Sequence, residues 1–179
     1  MIYMPAEDSY LLARTLARFA RGASVLDMGA GSGVLSETAL TAGAASVCAA
    51  EIDSDALALL KLKHIPCIQS DLFEKIKGRF DIIVCNAPYL PRDKREDRES
   101  ALATTGGRRG DEFILRFLKQ APRHLNQGGS ILLMLSSLTP KKRILALLEK
   151  QGMRHALVAT HKLFIERLEV WKIASEQPK

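Results

Sequence analysis

The chain has only three cysteines, Cys48, Cys67 and Cys85, spread through apolar segments without metal-like spacing. They fit no disulfide framework and read as small, buried, reduced thiols. The four histidines, His64, His124, His155 and His161, form no His-x-x-x-His pair and no Cys/His cluster, so no metal site is expected. There is no Gly-Lys-Ser/Thr, which argues against a nucleoside triphosphatase loop, and no serine elbow of the hydrolase type. No apolar stretch approaches the roughly 20 residues that span a bilayer, so no membrane partner is expected. Met1 to Ser9 carries acidic residues and no apolar signal core. An export peptide is therefore not expected, and the cytoplasm is the default compartment.

What remains is an ordinary globular composition, 47% hydrophobic and 26% charged over 179 residues, enough for one domain with a full core. The expectation is a single domain over 1–179, with an N-terminal helical segment to residue 22 and a frayed tail from Ser175. Charge is uneven, net −2 over residues 1–107 and net +8 over 108–179. A basic C-terminal half suits a polyanionic partner such as RNA or a ribosome-bound factor, and equally a solvated surface.

Leu11, Leu12, Thr15, Leu16 and Phe19 recur at helical spacing and predict a helix over 6–20. Further helices are expected over about 33–42, 54–63, 110–124 and 140–151, the second of these capped by Asp53 or Ser54. Strands are expected at 24–28, 46–51, 66–69, 80–85, 130–136, 154–160 and 163–173. This alternation implies an α/β fold: a doubly wound, mostly parallel, seven-stranded sheet covered on both faces. The last two strands leave no room for a helix and should form an antiparallel hairpin at one sheet edge. Residues 90–109 are polar and glycine-bearing, a loop long enough to suggest function.

Asp27-Met28-Gly29-Ala30-Gly31-Ser32-Gly33 turns the first strand into a helix. Glycines allow the tight turn and the close approach of backbone N–H groups to a ligand. The spacing is Gly-x-Gly-x-Gly, with Val34 where dinucleotide dehydrogenases place their third glycine, which disfavours a nicotinamide oxidoreductase. Asp27 suits an ammonium better than a pyrophosphate. Glu51, ending the second strand, can accept ribose hydroxyls, and Asp71, after the third, can accept from an adenine amino group. Carboxylates at three successive strand ends suit a cationic nucleoside with an amino acid tail, as in S-adenosylmethionine.

Asn86-Ala87-Pro88-Tyr89 ends the apolar run Phe80 to Cys85 at the same edge. The Asn86 side-chain oxygen and the Ala87 carbonyl could accept both hydrogens of a planar amino group. The nitrogen could then pyramidalise and turn its lone pair toward an electrophilic methyl. Pro88 holds Ala87 extended, and Tyr89 would stack on the acceptor.

With these motifs the chain resembles the class I S-adenosylmethionine-dependent methyltransferases of the HemK type, which modify glutamine in peptide chain release factors. The resemblance runs through Tyr3-Met4-Pro5-Ala6-Glu7-Asp8-Ser9, Asp27 to Gly33, Ala50 to Asp53, Ser70 to Phe73, Asn86 to Tyr89, and Gly106-Gly107-Arg108-x-Gly110. The Pro-Ala-Glu-Asp-Ser opening looks like the short archaeal and eukaryotic branch. The resemblance implies a Rossmann-like methyltransferase fold. It implies cofactor contacts from Ser9, Asp27, Gly29, Gly31, Gly33, Glu51, Asp71 and Leu72, and an acceptor site at Asn86, Ala87, Pro88 and Tyr89. It also implies a release factor as substrate and a small zinc-binding activator subunit as partner. Ala87 stands where the family usually has proline, which leaves glutamine, adenine or another amine open as acceptor. Adenine methylation in DNA or RNA is thus the second enzymatic reading, and a catalytically inert scaffold of the same fold is the non-enzymatic one.

Overall fold

A computed structural model describes residues 4–86, 88 and 109–176. Among them lie α1 (Glu7–Ala17), β1 (Ser24–Met28), α2 (Val34–Thr41), β2 (Ser46–Glu51), α3 (Ser54–Leu62), β3 (Cys67–Gln69) and β4 (Phe80–Cys85). After the undescribed stretch come α4 (Glu112–Gln120), a 3-10 turn (Ala121–His124), β5 (Leu125–Ser136), α5 (Lys142–Lys150), β6 (Met153–Lys162) and β7 (Arg167–Ser175). The strands form a seven-stranded sheet in the order β3-β2-β1-β4-β5-β7-β6. The first five are mutually parallel, and β7 runs antiparallel to both β5 and β6.

Strands buried on both faces need apolar residues at every position. Ile82, Ile83, Val84 and Cys85 in β4, and Ile131 to Leu135 in β5, meet that demand. One face packs Leu26, Ile83, Leu133 and Trp171 against Phe117 of α4 and Ile144 of α5. The other packs Val25, Ile82, Leu132 and Val170 against Leu12 and Leu16 of α1 and Leu35 of α2. α3 starts where the Asp53 side chain accepts from the backbone N–H groups of Asp55 and Ala56, a cap that satisfies two otherwise orphaned donors.

Several boundaries differ from the sequence reading. The helix expected to reach residue 124 stops at Gln120, because Pro122 lacks the N–H needed to continue the ladder. β5 starts at Leu125 rather than Ser130, through a register shift opposite Phe80 and Ile82. The segment 163–166, expected as strand, is the hairpin turn, closed by the Leu163 N–H donating to the Glu166 carbonyl. Finally, Ser175 lies in β7 opposite Met153, and the Glu176 N–H donates to the Gly152 carbonyl, so the chain is held through residue 176.

Register places the site. Met28 pairs with both Ala50 and Cys85, and Glu51 with Gln69. The carboxyl ends of β1, β2, β3 and β4 therefore finish at one level. At the opposite edge the Asp81 carboxylate accepts from the Ser24 N–H and hydroxyl and from the Asn126 amide, tying β1, β4 and β5 together. The backbone and hydroxyl of Ser24 and the Asn126 amide hold the Asp81 pKa below its ordinary value. A lowered pKa means stability that is present at neutral pH and lost as the pH falls through the folded-state value. Asp81→Ala should cost about 1–2 kcal/mol at neutral pH, with the deficit shrinking on acidification. Denaturant titration at two pH values measures it; an unchanged midpoint would contradict the role of this tie.

Candidate active site

β1 ends in a turn whose glycines adopt backbone angles that side chains resist. Gly29, Gly31 and Gly33 have φ of 71°, 50° and 83°, in the left-handed region. A Cβ on Gly29 or Gly31 would meet nothing within 4 Å, leaving the turn open to a ligand. A Cβ on Gly33 would strike the Leu60 and Ile65 side chains at 2.8 and 2.9 Å, so this glycine serves packing. The turn is held by Glu51: its Oε2 accepts from the Gly31 N–H at 2.8 Å, and its Oε1 from the N–H groups of Ile52 and Asp53. With Oε1 carrying two donors and Oε2 one, Glu51 retains capacity for a single further donor on Oε2, where the sequence suggested two ribose hydroxyls.

Asp27 lies fully buried below this turn. Its Oδ2 accepts from the Ser36 hydroxyl of α2 at 2.7 Å, while Oδ1 has no hydrogen-bond partner among the described residues. Desolvation first, opposed by the Ser36 hydrogen bonds and reinforced by the Glu51 charge, pushes its pKa up to about 6. An orphaned buried carboxylate oxygen is costly unless something cationic or protic fills the place. Cys85, also fully buried, has its thiol pushed up by burial and then by the Asp27 charge, which keeps it protonated and non-nucleophilic.

Asp71 and Leu72 follow β3. The Asp71 carboxylate is half-exposed and pairs through Oδ2 with Arg116 of α4 at 3.0 Å. Leu72 is buried and has φ 49°, rare for a residue with a branched side chain. Strain of this kind is concentrated at ligand clamps. The Ser70 hydroxyl donates to the Leu72 carbonyl and helps to hold that conformation.

The acceptor corner is built from two distant segments. Asn86, just past β4, donates through Nδ2 to Asp8 Oδ2 at 3.2 Å and to Ser9 Oγ at 3.1 Å. Asp8 and Ser9 are both buried in the first turn of α1. Asn86 Oδ1 is buried and has no partner among the described residues. Pro88 is half-buried, whereas Ala87, Tyr89 and residues 90–108, including Gly106, Gly107 and Arg108, lie outside the described residues. Just before α4, the N–H groups of Arg109 and Gly110 donate to the Glu112 carboxylate.

One edge thus gathers Ser9, Asp27, Gly29, Gly31, Glu51, Asp71, Leu72 and Asn86. Sequence reading missed three participants. Ser36 and Arg116 carry no local signal, being nine and 45 residues from the carboxylates they touch. Asp8 was quoted in the opening motif without a role.

Residues 7–165 match the sequence family described as Methyltransferase small domain. A Methanocaldococcus jannaschii protein assigned as a protein N5-glutamine methyltransferase is 34% identical over 96% of this chain and 92% of its own length. The Mus musculus protein Methyltransferase HEMK2 is 27% identical, over 97% and 89% respectively. Among solved structures, the E. cuniculi Mtq2–Trm112 complex, described as responsible for methylation of the eRF1 translation termination factor, superposes with a TM-score of 0.80 at 26% identity. It covers 98% of this chain and 99% of that one.

The raised Asp27 pKa predicts a stability cost of the ionised carboxylate. The native state holds this proton more tightly than the unfolded chain, so the contribution is full below 3.8 and is lost as pH rises through about 6. Asp27→Asn should therefore stabilise the ligand-free protein at pH 8, by at most about 3 kcal/mol, and by little at pH 4. Thermal denaturation at both pH values checks this; a variant less stable at pH 8 would contradict it.

Proposed function

The chain belongs to the methyltransferase small domain family and is an enzyme of methyl transfer, and we propose that it methylates the side-chain amide of a glutamine in a peptide chain release factor, with S-adenosylmethionine as donor. The single observation that carries this reading is the Asn86 amide, tied inward by its nitrogen, with a buried oxygen that has no partner among the described residues. That oxygen suits an N–H donor. A primary amide presents two such donors on a flat group.

The donor set fits the cofactor. Asp27 Oδ1 offers an anionic partner to an ammonium, the Glu51 Oε2 lone pair suits one ribose hydroxyl, and the open Gly29–Gly31 backbone admits close contact. Asp71, steadied by Arg116, keeps Oδ1 for an adenine amino group beside the Leu72 backbone. When bound, S-adenosylmethionine supplies an electrophilic methyl on a sulfonium. The protein orients the acceptor: Asn86 Oδ1 takes one amide N–H, and the sequence offers the Ala87 carbonyl, outside the described residues, for the other. This localises the nitrogen lone pair and stabilises the positive charge that grows on it. Tyr89, also outside the described residues, offers by its sequence position a ring for the amide plane. No strong general base is needed, since the methylated amide cation sheds its proton readily.

The name and near-complete coverage of the archaeal relative favour a protein glutamine over adenine. The Mtq2–Trm112 complex supports a small partner subunit for this chain as well, and the family resemblance supports a zinc-binding one. Three free thiols fit a reducing, cytoplasmic setting, and no helix among the described residues is long and apolar enough to cross a membrane.

Incubation with methyl-labelled cofactor and either release factor or nucleic acid, followed by mass spectrometry, should place the label on the release factor glutamine. Label on nucleic acid alone would make adenine the acceptor. Asn86→Ala should lower transfer by about 10²-fold or more and leave cofactor affinity nearly unchanged. Cofactor affinity itself should fall below about pH 6, because protonated Asp27 no longer pairs with an ammonium. Calorimetry at pH 5 and 8 reads this, and equal affinities would remove Asp27 from the cofactor site.

A further inference from the structure

The Asn86 amide works as an acceptor only if its oxygen faces outward, and nothing in an isolated asparagine enforces that. The two ends of the group are nearly the same size and can exchange by rotation about χ2. The first turn of α1 removes the ambiguity. Asp8 Oδ1 accepts from the Ser9 N–H at 2.6 Å and from the Ser9 hydroxyl at 3.3 Å. Oδ2 of the same carboxylate accepts from Asn86 Nδ2, and so does Ser9 Oγ, whose own proton is directed to Asp8. A carboxylate has no donor to offer. Turning the amide over would set Asn86 Oδ1 against Asp8 Oδ2, oxygen against oxygen, in a buried place.

We propose that Asp8 is a positioning residue that fixes the Asn86 amide oxygen-outward and so sets the corner's polarity for an N–H donor. The inference rests on the functional reading above, since polarity matters only if Asn86 receives the acceptor. It also gives the N-terminal segment a task separate from cofactor contact. α1 places Asp8 across 78 residues of sequence onto the end of β4, so the acceptor site is completed by an element outside the parallel strands.

The variant Asp8→Asn tests this with almost no change in shape. The Ser9 N–H still needs an acceptor, so the new amide sets its oxygen there and its NH2 toward Asn86. That arrangement rewards the overturned Asn86, with its nitrogen outward. The kcat for release factor methylation should fall about 10²-fold, while calorimetric cofactor affinity and Tm stay at wild-type values. Wild-type kcat in Asp8→Asn overturns the proposal, and so does a parallel loss of cofactor affinity, which would make Asp8 part of the cofactor site.

A second measurement needs no variant and no substrate. In the wild-type protein the Asn86 side-chain amide protons should exchange with solvent more slowly than those of exposed side-chain amides, read by NMR of 15N-labelled protein. Exchange at the exposed rate overturns the proposal. If wild-type enzyme fails to methylate the release factor yet shows the protected amide, the substrate assignment fails and the positioning role of Asp8 stands.

Discussion

Parallel pairing of β1 with both β2 and β4 is the constraint on which the site depends. Parallel neighbours end at the same edge, so residues far apart in sequence are delivered to one level without any loop having to fold precisely. Met28 opposite Ala50 and Cys85 sets that level. Asp27, Glu51 and Asn86 are one residue from it in each strand. β5 extends the pattern, and the antiparallel β7 then closes the apolar interior without lengthening the active edge. The buried Val, Ile and Leu of the central strands thus act on function through register.

On this frame two buried oxygens at the candidate site's edge, Asp27 Oδ1 and Asn86 Oδ1, have no partner among the described residues. A stability-optimised fold would pair or remove them, since an unmet buried acceptor costs about 1–3 kcal/mol. Each is accompanied by a group that limits the damage: Ser36 holds the other Asp27 oxygen, and Asp8 with Ser9 holds the Asn86 nitrogen. Glu51 takes a different course, spending most of its acceptor capacity on the backbone of the glycine turn. It stiffens the turn and keeps one lone-pair position open. The edge is preorganised because most of its hydrogen bonds are made before any ligand arrives.

The sequence showed much of this, unevenly. Central strands were legible because burial on both faces demands uninterrupted apolar runs. α1, α2 and α3 followed from periodicity and local chemistry, and of the two cap candidates, Asp53 and Ser54, the cap is Asp53. Phe164 and Ile165 misled: both are apolar and β-prone, yet they stand exposed at the tip of the β6–β7 hairpin. The early start of β5 takes in Gly128 and Gly129, residues with low strand propensity, while Pro122 was an available signal for the end of α4. The candidate residues' positions at or just past strand ends were legible, since position along a strand is a local fact. Their partners were not. The Asp8–Asn86, Asp27–Ser36 and Asp71–Arg116 contacts arise from packing between elements, and no spacing rule encodes them.

The central claim is that one sheet edge, completed by the first turn of α1, binds a cofactor ammonium through Asp27 and an acceptor amide through Asn86. The most direct measurement is a crystal structure with S-adenosylhomocysteine and a peptide containing Gly-Gly-Gln. The account predicts the cofactor ammonium at Asp27 Oδ1, the glutamine NH2 donating to Asn86 Oδ1, and Asn86 Nδ2 still on Asp8. A glutamine bound elsewhere on the protein, or facing the nitrogen of Asn86, would contradict it.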